Sequence, residues 1–458
     1  MKRPSVTAYG FALHLLIVAS VNTQLCAAGK PGRGLRWVRR NPLTTMALTI
    51  IPKSSNPEQY KDANLTTVLA WKQRPELLKG SARVGLPWHL HVQSVLLREN
   101  GLTDELMARL KNHHDSYQGC TGWIVWDEPN RPDMFVAAQA IRRLKEAYPD
   151  TLVYSNAFPR GARLERYYGG ELPAAGYSYE QYLRDFAKIM DPDVVMYDAY
   201  IFREGGATSN PFPTLGTARK VAQEVAKPYW SFVQSHSDAR RGYRMPSESD
   251  LRMQVFAHLT SGYTGIGYFT YEDQQGPALV SNATLERRPI YYHVARLNQE
   301  VRHIGQTLRF LTSTAVHYVP GRGNRVPAGV TAWQPGAGNN TTIKSIVIEN
   351  ANEASVDWQD VLVGFFIDDQ GQEYFMVTNL WHGQEVSAAE RALTVTLTLD
   401  QGVRVVGRLS RETGQPEMLL VNDGVLRLTL PGGTGDLLRL GSNQFPGLVR
   451  GQPGAPGE

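Results

Sequence analysis

Between about residue 46 and residue 308 the chain alternates, eight times over, short apolar β-prone runs with longer stretches whose apolar residues recur at helical spacing. Parallel strands joined by helical crossovers produce that rhythm. The runs are Met46–Pro52, Leu65–Trp71, Gly85–Gln93, Gly122–Glu128, Leu152–Phe158, Val194–Phe202, Pro228–Gln234 and Thr264–Tyr271. Helices are expected over Asp104–His113, Met134–Ala147, Tyr179–Met190, Ser249–Leu259 and Ile290–Leu308. Two of them open on capping residues with an acidic first turn, Thr103-Asp104-Glu105 and Ser247-Glu248-Ser249-Asp250. Eight such units in about 250 residues match the size of a closed (β/α)8 barrel. A doubly wound open sheet has a similar rhythm, but its glycine-rich phosphate-binding turn is missing after the first run.

After Leu311 helical periodicity stops, and alternating runs such as Val361–Asp368, Glu373–Trp381, Ala392–Leu399, Val403–Ser410 and Val425–Leu430 take over between Gly, Asn and Asp turns. The expectation is an α/β barrel over residues 29–311 followed by a smaller all-β sandwich over 312–445. Residues 320–340, rich in Gly, Pro and Asn, read as a linker or large loop, and 446–458 as a disordered Pro/Gly tail.

The start of the chain reads as a signal peptide over residues 1–28: Lys2 and Arg3, an apolar run from Phe11 to Val21, then Cys26, Ala27 and Ala28. The run is shorter than the roughly 18 to 20 residues a bilayer span needs. A secreted or periplasmic protein is expected, with no membrane span. Cleavage would leave Cys120 as the one thiol, so core burial rather than a disulfide has to hold the fold.

The formal charge of +5 falls to +3 without Lys2 and Arg3, too little to point to nucleic acid. Two basic runs, Arg33–Arg40 and Arg240–Arg244, read first as solvated faces. Asn64, Asn282, Asn339 and Asn340 head Asn-x-Ser/Thr triplets, which matter only in a glycosylating host.

In a closed parallel barrel the C-terminal strand ends form the active face. The fourth run delivers Trp126, Asp127 and Glu128 there, the sixth Tyr197, Asp198 and Tyr200, the seventh Gln234 and His236, and the eighth Tyr271 and Glu272. The third offers His89, His91 and Gln93 on one face. Carboxyl groups interleaved with aromatic side chains suit glycoside hydrolysis, which needs one protonated acid, one ionised carboxylate and flat surfaces for sugar rings. A carboxylate at a strand end is also often a helix N-cap, and Asp127, shortly before Pro129, has the position for that.

Trp126-Asp127-Glu128-Pro129-Asn130 resembles the Asn-Glu-Pro that carries the acid/base in the TIM-barrel glycosidase superfamily including the family 42 β-galactosidases. Gln254–Tyr271 with Pro289–Asn298 is similar to their last helix–strand–helix segment, and Val425–Leu438 to the closing strands of their C-terminal β-sandwich. The resemblance implies Glu128 as general acid/base, with Asp127 in place of the usual asparagine. Those enzymes carry a glutamate nucleophile on strand seven, where this chain has Gln234.

Two substitutes for that glutamate are open. Asp198 can be the second carboxylate, or Asp127 and Glu128 can act as the adjacent pair of a substrate-assisted hexosaminidase. Trp126, His89, His91, Tyr197, Tyr200, Gln234, His236, Tyr271 and Glu272 are expected to shape a binding site for an oligo- or polysaccharide. An anionic sugar would suit Arg240, Arg241 and Arg244. His89 and His91 could contribute to a metal site, but only His236 is placed to join them, so hydrogen bonding to sugar hydroxyls is the preferred reading and no cofactor is expected. Cys120, where strand four begins, is on the wrong end for a nucleophile. The rivals are a non-catalytic glycan-binding protein on the same scaffold and a metal-dependent barrel hydrolase.

Overall fold

Each apolar run becomes one strand: β1 (Thr44–Thr49), β2 (Thr67–Ala70), β3 (Trp88–His91), β4 (Cys120–Asp127), β5 (Leu152–Ala157), β6 (Val195–Ala199), β7 (Tyr229–Gln234) and β8 (Gly265–Phe269). The computed structural model describes residues 31–50, 56–92, 94–321, 325–349, 351 and 358–448; the leader expected over 1–28 lies outside them, as do Gln93 and Pro52. The strands pair in parallel in chain order, and β8 returns to β1 to close a TIM barrel. Every residue of β1, β2, β3, β5 and β7 is buried, as strands covered on both faces require. All five expected helices form. Thr103 and Ser247 cap theirs, the latter in a reciprocal capping box with Asp250. The helix expected over Tyr179–Met190 is α-helical through Asp185 and finishes in a π turn, Phe186–Met190.

Inward-pointing residues fill the barrel. Met46, Leu48, Leu69, Ile124, Tyr154, Met196, Trp230 and Phe232 belong to one apolar cluster, and the His89 ring stacks parallel to Trp230. Large rings on one strand face glycine on the next: a β-carbon at Gly122 would meet the His89 ring at 2.6 Å, and one at Gly265 the Trp230 ring at 2.3 Å. Glycine is needed at these two positions for close approach.

The basic run Arg33–Arg40 is not a solvated face. It is a helix with Trp37 and Val38 buried in the barrel's apolar cluster. Arg33 reaches the Asp193 carboxylate and the carbonyls of Tyr148 and Thr151, while Arg39 and Arg40 pair with Asp369 and Asp150. Tyr148, Asp150, Thr151 and Asp193 immediately precede β5 and β6, so this helix covers the end of the barrel opposite the candidate site.

The C-terminal part is all-β. Strands β9 (Thr312–Val319), β10 (Thr331–Ala332), β12 (Val361–Ile367), β13 (Glu373–Asn379), β15 (Val405–Leu409), β16 (Pro416–Leu420) and β18 (Gly435–Leu440) form a seven-stranded sheet. Strands β11 (Ile343–Ile348), β14 (Leu393–Leu399) and β17 (Val425–Leu430) form a three-stranded one. The two sheets share an apolar core that includes Val363, Phe365 and Val377 from one and Leu393, Val395 and Leu428 from the other. The opposite face of the larger sheet sends Leu362, Phe366, Met376 and Leu437 into the barrel's own core. Helix Glu248–Thr260 lies between barrel and sheet, which is why all of Ser249–Thr260 is buried. Thr260 meets Thr378 hydroxyl to hydroxyl at 2.6 Å there.

The presumed linker 320–340 carries β10 and a short 3-10 turn, Ala337–Asn339. Asn340 is buried, its side-chain oxygen accepting from the Thr342 and Ile343 backbone N–H groups, so it is no glycosylation acceptor in the folded chain. The first residues of the expected tail are packed: Thr307 donates to the Pro446 carbonyl and Leu448 packs against the barrel's apolar core. Residues 449–458 lie outside the described ones.

Candidate active site at the barrel mouth

Strict alternation along β4 from the inward Ile124 would turn Asp127 away from the barrel. A bulge intervenes: Ile124 pairs with Tyr154 but Asp127 with Asn156, so three residues of β4 advance against two of β5. Such bulges re-aim side chains. Glu128 follows with its N–H on the Asn156 carbonyl at 2.9 Å and φ of +50°, a left-handed conformation that costs energy in a non-glycine residue and concentrates at functional sites. The N-cap of helix Arg131–Ala147 is Asn130, boxed with Asp133, so Asp127 is not a cap.

Three carboxyl groups meet at this mouth. The Asn156 amide nitrogen, on β5, donates to Asp127 Oδ1 at 3.0 Å and to Asp198 Oδ1 at 3.1 Å, tying β4 to β6 through one side chain. Asn156 Oδ1 is buried and has no partner among the described residues. Asp198 is buried, whereas Asp127 and Glu128 keep partial exposure.

Burial pushes Asp127 up to about 6 against the opposing pull of the Asn156 bond and Arg166. Glu128 is pushed up to about 7, by burial first and the Asp127 charge second, while Arg166 and Arg241 pull the other way. Burial, then the charges of Glu128 and Asp127, hold Asp198 far above the usual carboxylate range. Three acids so close cannot all ionise near neutrality, so the cluster retains at least one proton.

Tyr200 belongs to the same group, its phenol raised by burial and then by Asp198, Asp127 and Glu128. Its ring packs on Phe269 at 5.1 Å and edge-on to His236 at 5.3 Å. His236 Nδ1 bonds the Phe269 carbonyl and His91 Nδ1 the Trp71 carbonyl, so each carries its proton on Nδ1. Both leave a buried Nε2, without a partner among the described residues, as an acceptor. Burial keeps both imidazoles neutral, His91 at about 4. Trp71 stacks on His91 at 4.3 Å.

Several expected residues are engaged elsewhere. His89 sits inside the barrel, fully buried, Nδ1 on the Tyr154 hydroxyl. Trp126 is buried in the core shared by strands and helices, with Arg98 over its ring. Tyr197 bonds His258 and Tyr263 behind β6. Tyr271 stacks on Tyr60 and donates to Gln59. Glu272 accepts from the Ile50 N–H at 2.6 Å, securing the exit of β1.

Gln234 spends its amide on the backbones of Phe202, His236 and Arg244, so it fastens the loops after β6 and β7. Arg244 is buried and clamps Asp250 through both terminal nitrogens, which removes it from any anion site. Cys120 lies at the start of β4 with burial pushing its thiol up. Among the described residues no group of three or more His, Cys, Asp or Glu is arranged to hold a metal ion, and no helix is long and apolar enough to cross a membrane.

Three site residues escaped the sequence reading, among them Trp71, whose signal was its place at the end of the second apolar run. Asn156 had a signal, a lone amide at an inward position of an otherwise apolar strand end. Arg166, which donates to Glu128 Oε2 at 3.1 Å, had none, because its helix, Leu164–Tyr168, is set by the fold of a long loop.

No family model matches the chain, and no curated protein matches it. Solved structures similar to it include a family 51 α-L-arabinofuranosidase from Thermotoga petrophila (10% identity, 87% of this chain and 96% of that one, TM-score 0.42). Others are an α-L-arabinofuranosidase from Thermotoga maritima (10%, 83% and 88%, 0.39) and a family 128 endo-β-1,3-glucanase from Sorangium cellulosum (11%, 55% and 97%, 0.39). Likeness of this degree says nothing of substrate; what bears on function is the barrel mouth.

Proposed function

We propose that the chain is a secreted or periplasmic glycoside hydrolase, its barrel catalytic and its β domain bracing, related to the superfamily that includes the family 42 β-galactosidases. Glu128 donates a proton to the leaving glycosidic oxygen, and the second carboxylate is Asp198 or Asp127, both held by the Asn156 amide, Asp127 being the least raised of the three and the first to ionise. The observation that carries this is the three-carboxyl cluster beneath a partly exposed Glu128 whose proton affinity is raised to about 7. An acid held near neutrality beside another carboxyl is the arrangement glycoside hydrolysis uses. Trp71 and Tyr200 supply flat faces, and His91 and His236 acceptors for sugar hydroxyls.

The adjacent pair Asp127–Glu128 is the second reading, favoured because both are partly exposed while Asp198 is buried. There the substrate's acetamido group attacks and Asp127 orients it.

Turnover of a panel of aryl glycosides, N-acetylhexosaminides included, by wild type, Glu128→Gln, Asp198→Asn and Asp127→Asn tests both. Glu128→Gln is expected to lose about 10²- to 10⁴-fold in kcat while still binding sugar. Turnover confined to acetamido sugars selects the second reading, and binding without turnover by wild type replaces both with a glycan-binding protein.

A further inference from the structure

The Arg166 guanidinium, 62% exposed, lies over the Phe158 ring at 4.6 Å, and among the described residues its one ion-pair partner is Glu128. Arg241, on the loop after β7, is 58% exposed and holds Asp238 only at 3.7 Å, and its charge also reaches Glu128. That loop is anchored from beneath. Arg203 stacks on Tyr243 at 4.3 Å and donates to the Arg241 carbonyl, and Arg244 is locked to Asp250. Two weakly committed guanidiniums therefore act on the candidate acid, Arg166 from the β5 side by direct contact and Arg241 from the β7 side through its charge.

We propose that the glycan taken by this site is anionic, with a carboxylate or sulfate on a sugar beside the scissile bond held between Arg166 and Arg241. This rests on the glycosidase reading for its catalytic meaning. A neutral sugar has no use for two cations here, and a guanidinium bound to the acid opposes the protonation that acid needs. Planar guanidinium forks match the paired oxygens of carboxylate and sulfate. When such a group takes Arg166, Glu128 loses the neighbour that favours its ionised form and keeps its proton, so recognition of the anion prepares the acid.

The test is binding by the Glu128→Gln protein, titrated at low salt against polygalacturonate and its carboxyl-reduced form, and against a sulfated galactan and its desulfated form. At least one anionic member is expected to bind tenfold or more tightly than its neutral counterpart. That preference should fall by about an order of magnitude when Arg166→Gln and Arg241→Gln are added, and again at about 0.5 M salt. Both arginines are exposed, so an unchanged thermal transition is expected to show the variants fold.

Equal affinity within both pairs, or a preference that survives loss of both arginines, overturns the proposal. Preference in one pair alone says which anion is recognised. Anionic preference without turnover by wild type upholds this inference while removing the glycosidase reading.

Discussion

Replacing Asp127 by asparagine should make the protein more stable at neutral pH. The substitution keeps the shape, and the new side-chain oxygen can still accept from Asn156 Nδ2, which lies 3.0 Å from Asp127 Oδ1. What disappears is a carboxylate whose pKa rises from 3.8 to about 6, chiefly through burial. A rise of about two pH units means that the ionised group weakens the fold by about 3 kcal/mol at pH 7.

The direction follows from proton binding. Between the unfolded value near 3.8 and the folded value near 6 the native state holds the proton more tightly, so this group's contribution is fully present below pH 4 and is lost as pH climbs through 6. Asp127→Asn removes that slope. Scanning calorimetry should show wild type and variant nearly matched at pH 4 and the variant ahead at pH 7 by about 2 to 3 kcal/mol, a few degrees in Tm for a chain of this size. Glycosidase activity should fall at the same time, as expected where a site trades stability for function. A variant equal to or weaker than wild type at pH 7, or a gap independent of pH, refutes the electrostatic account of the cluster.

Three further outcomes are expected. In a pH–rate profile, kcat/KM should decline above about pH 7, where Glu128 gives up the proton it must donate; activity undiminished at pH 9 would remove Glu128 as the acid. Arg244→Ala leaves the Asp250 carboxylate buried without its partner and should cost about 3 to 5 kcal/mol in denaturant unfolding, whereas Arg240→Ala, mostly exposed, should cost less than about 1. Trp37→Ala opens a void at the closed end of the barrel and should lower stability by about 3 to 5 kcal/mol.

Much of the candidate site was legible because strand parity and strand ends are local properties. Asp127, Glu128, Asp198 and Tyr200 were identified from where their runs stop, and the structure brings all four together. The same rule misassigned Tyr197, Tyr271 and Gln234. A tyrosine or glutamine near a strand end can face the lumen or the helices, or tie loop backbones, and composition does not distinguish these. The run Arg33–Arg40 was misread for a related reason. Its charges announce solvent, but the buried Trp37 and the carbonyls that receive Arg33 come from distant parts of the chain.

What the sequence determined by itself is the order and type of elements. Eight β-prone runs separated by amphipathic helices leave a closed parallel barrel as the natural way to bury every strand, and the change of periodicity after Leu311 marks the β domain. What only the tertiary structure decided is which side chains share a space. The bulge that turns Asp127 inward, the amide of Asn156 spanning two acids and the arginine laid on Glu128 all depend on registers between non-adjacent segments. Those registers are set by packing and hydrogen bonding across the whole barrel, and no local window of residues contains that information.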